Sequence, residues 1–465
     1  MVNLPAQLDN FAPSDRPITL AERMRRTPYQ AYSYSYPHKS AYRPLPSAQA
    51  LASVWQQENR SALFSYIHIP FCAMRCGFCN LFAMARPQPE LVERYVAQVV
   101  LQMQASHEFL GERRFARFAI GGGTPTYLSA AQLDQLLTAT HKILGLDLAS
   151  TPAGIEASPE TVSQDKMQVC RSFGIDRVSL GVQSFADGEM RALARPQQNA
   201  TVRSAIECIR AAGFPTLNLD LIYGIQGQSQ ASLLASIDSA LAFAPEEIYL
   251  YPLYVRAKTG LGKIAVRQGV LHPLAQVQDS RLALYMAARD HLCAAGYTQV
   301  SMRMFRAPHA PSLNGPLYCC QSDGMVGLGA GARSYTSRLH YSSQYAVERG
   351  ATQQIIEDYL AQNMDSFAHA HYGFALDEDE QQRRHIMQSL LTEPGLDFAA
   401  YQTRFSRDCM ADFPQLHELI ALKLAQQHDG LLHLNAQGYA YADTIGPWLA
   451  SNAVRALMAE RDVPC

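Results

Sequence analysis

Several common features are missing from this sequence. Nowhere in its 465 residues does an apolar run approach the ~20 residues that a bilayer-crossing helix needs, and its start lacks the basic-then-apolar pattern of a secretory leader. A cytoplasmic protein with no membrane partner is the expectation. Net charge is nearly absent: 39 Lys+Arg stand against 41 Asp+Glu, a formal balance of −2. With no global field to draw the chain onto nucleic acid or an anionic surface, ligands must be recognised locally. Neither the dinucleotide fingerprint G-x-G-x-x-G nor a Walker A loop occurs. Ten cysteines over this length do not make a disulfide scaffold, and a reducing compartment would keep thiols available.

What is present begins with size. At 48% apolar, the chain can bury one large core and a smaller one, so two or more domains are expected. Its most informative stretch is Tyr66–Phe82, in which Cys72, Cys76 and Cys79 follow a C-x3-C-x2-C spacing. The run before it, Phe64 to Ile69, reads as a strand, and Pro70 ends that strand by removing a ladder donor. Thiolates suit iron–sulfur clusters and zinc. A [4Fe–4S] cube normally takes four cysteines, so three around Gly77 would leave one iron open to a small molecule. The alternative is a closed zinc site with His68 or a distant cysteine as fourth ligand. No second C-x2-C pair exists, and His68 lies on the strand only four residues before Cys72. Cys170, Cys208, Cys293, Cys409 and Cys465 read as small packing or tail residues.

From Phe64 to about Val300 one theme repeats, a short apolar strand, a loop and an amphipathic helix. Strands are expected at Phe64–Ile69, Phe115–Ile120, Gly154–Ala157, Arg177–Val182, Thr216–Ile222 and Glu247–Tyr251. Helices are expected at Glu90–Phe109, Ala130–Leu144, Glu160–Phe173, Thr201–Ala212 and Gln230–Phe243. Parallel strands need long crossovers, so the alternation implies an α/β fold, a partial (β/α) barrel of parallel strands. Chemistry in such barrels gathers at the carboxyl ends of strands. There lie the cysteine loop, Gly121–Gly123, Glu156, Gln183 and Asp220. Three consecutive glycines let backbone approach a ligand closely. A carboxylate such as Glu156 can accept two ribose hydroxyls. Tyr249, Tyr251 and Tyr254 form an aromatic rim on which a flat molecule could stack.

These motifs, with Tyr66-Ile-His-Ile-Pro-Phe-Cys and Gly121-Gly-Gly-Thr-Pro-Thr126, resemble the radical S-adenosylmethionine (SAM) superfamily, and within it the family of oxygen-independent coproporphyrinogen III dehydrogenase. The resemblance implies that Cys72, Cys76 and Cys79 ligate a [4Fe–4S] cluster whose open iron is chelated by SAM. It carries Tyr66, Gly121, Gly122, Gly123, Thr124, Glu156, Gln183, Arg195 and Asp220 over as SAM contacts. Arg195 would pair with a SAM carboxylate, and Asp220 would hold a ribose hydroxyl or adenine. It further implies an electron donor such as flavodoxin or ferredoxin, a small-molecule substrate and, near Gly327–Ser334, a second SAM. Three positions depart from the family: Leu81 replaces an additional cysteine of the porphyrinogen-oxidising members, as in the related haem chaperones; Arg333 stands where histidine is common; and Cys319-Cys320 where Tyr-Trp is frequent. Coproporphyrinogen III is therefore not the expected substrate.

The expected domains are an irregular 1–60 segment that covers the site or packs outside the barrel, a 61–302 barrel, a 303–376 extension bordering the active site, and a 377–465 accessory domain. The last resembles the family's winged-helix-like α+β C-terminal domain. Helices are expected at Gln381–Leu391, Phe398–Phe405 and Leu416–Gln427, and a hairpin of Gly430–Leu434 with Tyr439–Tyr441. Seven Lys+Arg against thirteen Asp+Glu in 377–465 give −6, the wrong sign for a phosphate-tracking surface.

Overall fold

A computed structural model describes residues 18–26, 28–32, 35–268, 280–312 and 324–460. Cys319-Cys320 and Cys465 lie outside them. Contacts divide the chain into two units, Tyr42–Gln381 and a second made of Met1–Ala41 with Gln382–Cys465. Among the described residues no helix is long and apolar enough to cross a membrane.

The larger unit is built on one thirteen-stranded sheet. Its strands are β1 (Arg43–Ala50), β2 (Leu63–Ile69), β3 (Phe115–Gly122), β4 (Ala153–Ala157), β5 (Arg177–Gln183), β6 (Thr216–Tyr223) and β7 (Glu247–Pro252). They continue as β8 (Thr298–Gln299), β9 (Met304–Arg306), β10 (Met325–Leu328), β11 (Arg333–Tyr335), β12 (Leu339–Ser342) and β13 (His369–Ala375). Spatial order is β1-β13-β12-β11-β10-β2-β3-β4-β5-β6-β7-β9-β8. From β10 to β7 all neighbours are parallel, and antiparallel strands flank both ends, so the barrel is open. The partial barrel of parallel strands is thus what the alternation implied.

Local chemistry explains the crossovers. Pro89 opens the helix Pro89–Leu110 where a missing N–H costs nothing, and Val92, Val96, Val99 and Met103 bury one face at helical spacing. Ser129 and Gln132 form a capping box at Ala130–Leu144, and Ser229 with Ser232 do the same for Gln230–Leu241. The expected helix Glu160–Phe173 is shorter. A 3₁₀ turn, Pro159–Thr161, precedes an extended Ser163, and the helix runs from Gln164 to Ser172. Beyond β7 the regular alternation gives way to the short strand Thr298–Gln299.

The 303–376 stretch joins the same sheet: β10 pairs in parallel with β2, Gly327 beside Tyr66. The 1–60 stretch is not uniform. Arg43–Ala50 pairs with β13, whereas the helix Leu20–Arg26 belongs to the other unit. There, the Ala21 N–H donates to Glu418 and Arg384 donates to the Tyr36 carbonyl.

That second unit combines the helices Phe398–Phe405, Leu416–Ala421 and Ala442–Leu449 with a small antiparallel sheet of β14 (Leu396–Asp397), β15 (Ala425–His428) and β16 (Leu431–Leu434) in the order β14-β16-β15. Two expectations fail here. The helix after Leu416 stops at Ala421, and Ala425–His428 is a strand. The hairpin turns at Asp429-Gly430, both at positive φ, as the tight two-residue turn requires. Asn435 instead caps the helix Ala436–Ala440 by accepting from the Gly438 N–H at 3.0 Å, so Tyr439–Tyr441 is not a strand.

Candidate functional site

β2 delivers the cysteine loop. Past Pro70, Phe71–Cys72 pairs in parallel with Met84–Ala85, and the Arg86 N–H donates to the Cys72 carbonyl at 2.9 Å, which closes the intervening residues into a loop. Gly77 lies at its tightest point. A Cβ there would stand 2.8 Å from the Ala194 Cβ and 2.9 Å from the Leu193 carbonyl oxygen. The loop is also tied by the Leu261 N–H to the Gly77 carbonyl (2.8 Å), by Arg75 to the Val347 carbonyl and by the Tyr345 hydroxyl to the Asn80 carbonyl.

The donor set fits a cluster better than a single zinc. A single zinc would need all of its donors at ~2.0–2.3 Å from one point. Cluster cysteines each bind a separate iron. His68, the proposed fourth zinc ligand, bonds the Phe82 carbonyl through Nε2 at 3.0 Å. Burial pushes the Cys72 thiol up to about 12 and raises that of Cys76; Thr124 Oγ1 donates to Cys72 Sγ at 3.4 Å and Arg195 Nη1 to Cys76 Sγ at 3.8 Å, both pulling downward. Ligation requires loss of these protons, and the two donors favour the thiolates.

The three glycines are needed for three different reasons. A Cβ on Gly121 would lie 2.9 Å from the Glu156 carboxylate, one on Gly122 (φ +118°) 2.7 Å from the His68 ring, and one on Gly123 3.0 Å from Cys72 Sγ. Glu156 accepts from the Gly122 N–H at 3.0 Å. Its carboxylate is ringed by protein yet open to the barrel lumen, and burial pushes it up to about 7, with Asp220 adding to the push and the Gly122 N–H and Arg177 opposing it. Water in the lumen tempers that push.

Gln183 ends β5 at φ +69°, where the register with β6 shifts, and its amide lies over Gly181, whose added Cβ would be 2.8 Å from Nε2. A non-glycine residue held in the left-handed region is backbone strain of the kind found at ligand sites. Arg195 is only 6% exposed. It donates to the Gly181 carbonyl (2.8 Å) and Ser158 Oγ (3.1 Å), and Glu160 lies 3.9 Å away. Its Nε has no partner among the described residues. Asp220, on the luminal face of β6, accepts from Asn218 Nδ2 at 2.8 Å, and burial pushes it up to about 6. Tyr66 stands on β2 beside Gly327, with its hydroxyl 3.5 Å from His68 Nδ1. Of the aromatic rim, Tyr249 and Tyr251 stack with centroids 6.0 Å apart, while Tyr254 carries Arg256 over its ring at 4.5 Å.

Sequence reasoning passed over Ser158, Glu160, Arg177 and Asn218. Ser158 and Glu160 follow Glu156 in one motif, and Asn218 is two residues from Asp220, so period-two alternation already placed it on the same face. The Gly327–Gly331 run is filled by protein. A Cβ on Gly329 would meet the Tyr95 hydroxyl at 2.5 Å, and one on Gly331 the Phe82 ring at 2.5 Å. The Gly329 N–H donates to Gln102 Oε1 at 2.7 Å. The segment therefore buttresses β2 and the cysteine loop.

With a partial barrel, a three-cysteine loop and a glycine run wedged between thiol and carboxylate, the chain belongs to the radical SAM superfamily, whose model matches residues 66–240, and residues 376–441 match the HemN C-terminal domain. Within the superfamily it is a member of the HemN/HemW-like family. The chain is 27% identical over 396 residues to the "Heme chaperone HemW" of Bacillus subtilis, covering 85% of this chain and 99% of that protein. It is 28% identical over 391 residues to the "Oxygen-independent coproporphyrinogen III oxidase" of Pseudomonas aeruginosa, covering 80% of each. The solved coproporphyrinogen III oxidase (HemN) of Escherichia coli shares its fold, with a TM-score of 0.74 at 22% identity over 90% of this chain and 96% of that one. The family implies a [4Fe–4S] cluster and SAM. Similar proteins divide between oxidase and chaperone.

Proposed function

We propose that this chain is a radical SAM enzyme that acts on a tetrapyrrole or another conjugated substrate other than coproporphyrinogen III. The observation that carries the reading is the position of Gly121–Gly123, which lies against the Glu156 carboxylate at one end and Cys72 Sγ at the other with no side chain of its own between. When bound at Cys72, Cys76 and Cys79, the cluster supplies the electron that splits SAM into methionine and a 5′-deoxyadenosyl radical. The chain's own residues bind and orient. Glu156 accepts the ribose hydroxyls; Arg195, through its unspent Nε, meets a carboxylate; Asp220 holds a further nucleoside donor; and Gln183, locked by its backbone, orients both. Tyr66, Thr124 and the Gly121–Gly123 backbone line the same strand ends. A second SAM binds beside Gly327–Gly331, and flavodoxin or ferredoxin is the electron donor.

A second reading, a haem chaperone with little radical turnover, is favoured by Leu81. It is 45% exposed in the cysteine loop and offers neither a proton nor a redox-active sulfur where the oxidising members carry a thiol. The test is an anaerobic incubation of reconstituted protein with reductant, SAM and coproporphyrinogen III. SAM cleavage without protoporphyrinogen formation is expected. Stoichiometric decarboxylation would return the protein to coproporphyrinogen oxidation, whereas tight haem binding with no SAM cleavage would favour the chaperone.

A further inference from the structure

The inference concerns how Asp220 is held, and it rests on the reading just proposed. In parallel register Asn218 stands beside Ser179 of β5 and Glu247 of β7, so alternate residues of three strands face one lumen. A hydrogen-bonded chain crosses them. Arg177 Nε donates to Glu247 Oε2 at 2.8 Å and Arg177 Nη1 to Ser179 Oγ at 2.5 Å. Asn218 Nδ2 then donates to Ser179 Oγ at 3.2 Å and to Asp220 Oδ1 at 2.8 Å. Asn218 is 1% exposed, and its Oδ1 has no partner among the described residues. Turning the amide over would set that oxygen against the Asp220 carboxylate, two acceptors at bonding distance, so Asp220 fixes the orientation. The bonds donated by the amide to Ser179 and Asp220 offset part of the cost of leaving that acceptor unmet.

We infer that Asn218 is a positioning residue for SAM binding: it clamps Oδ1 of Asp220 and presents the second carboxylate oxygen to a donor on the nucleoside part of the ligand. The charged groups around Asp220 are Glu156 from β4, Arg177 from β5, Glu247 from β7 and Arg195 after β5. Burial raises Asp220; the Asn218 bond, Arg177 and Arg195 pull it down, and Glu247 opposes them. Without the amide donor Asp220 takes its proton at higher pH and presents a donor where an acceptor is needed. Binding then fails sooner as pH falls.

The experiment measures SAM affinity by equilibrium binding on the anaerobically reconstituted full chain, from about pH 5.5 to about pH 9, together with iron content. Asn218→Leu, similar in shape and lacking the donor, binds SAM about tenfold more weakly at neutral pH. Its affinity is lost about one pH unit earlier on acidification, with iron content retained. Asn218→Asp, which places an acceptor against Asp220, loses more. A wild-type affinity and pH profile in Asn218→Leu overturns the inference and leaves the functional reading standing. If that variant does not fold, Ser179→Ala decides, since it frees the other end of the amide. A smaller shift in the same direction supports the clamp, and an unchanged profile overturns it. Wild-type protein that carries its cluster and binds no SAM overturns the functional reading, and this inference with it.

Discussion

The carboxyl rim of the barrel and the C-terminal unit are both rich in polar side chains, but they use them differently. In the C-terminal unit much of the polarity goes into local caps and hydrogen bonds. Asp397, Asp408 and Asn435 cap helices, the Tyr401 hydroxyl donates to Asp412, which Arg407 also grips, and the Tyr439 hydroxyl donates to Glu393. At the rim, Arg195 and Glu160 each keep a buried atom without a partner among the described residues, and Glu156 and Asp220 are carboxylates pushed toward neutrality. Unspent valence and raised carboxylates are the marks of a site made for a ligand, while completed caps are the marks of a scaffold.

The contrast can be broken most forcefully at the thiols. Cys72→Ala, Cys76→Ala or Cys79→Ala should each reduce iron from about four per chain to near none, with unfolding temperature little changed. Iron and sulfide analysis beside a thermal melt checks this, and a variant with its full complement of iron would show that the triad is not the ligand set. Next in size, Gly123→Ala should lower cluster content severalfold, because its Cβ would press on Cys72 Sγ and on the Phe71 carbonyl at 2.8 Å. The absorbance of reconstituted protein reads that loss.

Glu156→Gln sharpens the comparison by separating stability from function. Its folded-state carboxyl is raised from 4.5 to about 7, so the native state binds the proton more tightly and stability falls as pH rises from about 4.5 to 7. The amide removes that loss. We expect the variant to be about 1 kcal/mol more stable at pH 8, after allowance for screening in the lumen, with the advantage vanishing toward pH 4.5. SAM affinity should fall at least tenfold. Denaturant titrations at both pH values and equilibrium binding supply the two readings. Smallest is Asn435→Ala in the C-terminal unit. Loss of the cap should cost about 1 kcal/mol of stability and leave iron content and SAM affinity untouched. A change in either would mean that the two regions are not functionally separate.

The same division decides what could be read from the chain. β2 to β7 were legible because buried parallel strands are nearly continuous apolar runs set off by turn residues, and the cysteine spacing is a local pattern. β10 was not, since Gly327 interrupts it and only pairing with β2, more than 250 residues earlier, makes it a strand. In the C-terminal unit Asp429-Gly430 carried the hairpin signal, but Asn435–Gly438 offered a competing one, and only capping geometry separates them. Arg195 matched by type and spacing; its burial and its grip on Ser158 and the Gly181 carbonyl depend on loops meeting in space. Asn218 lies two residues before Asp220 on the same face of β6, but its role depends on Ser179, which only the pairing of β5 with β6 brings beside it.

The most direct measurement is 5′-deoxyadenosine formed by the anaerobically reconstituted protein with reductant and SAM, wild type against Cys79→Ala. The account predicts product from the wild type and none from the variant. Equal amounts from both, or none from a wild type carrying about four irons, would contradict it.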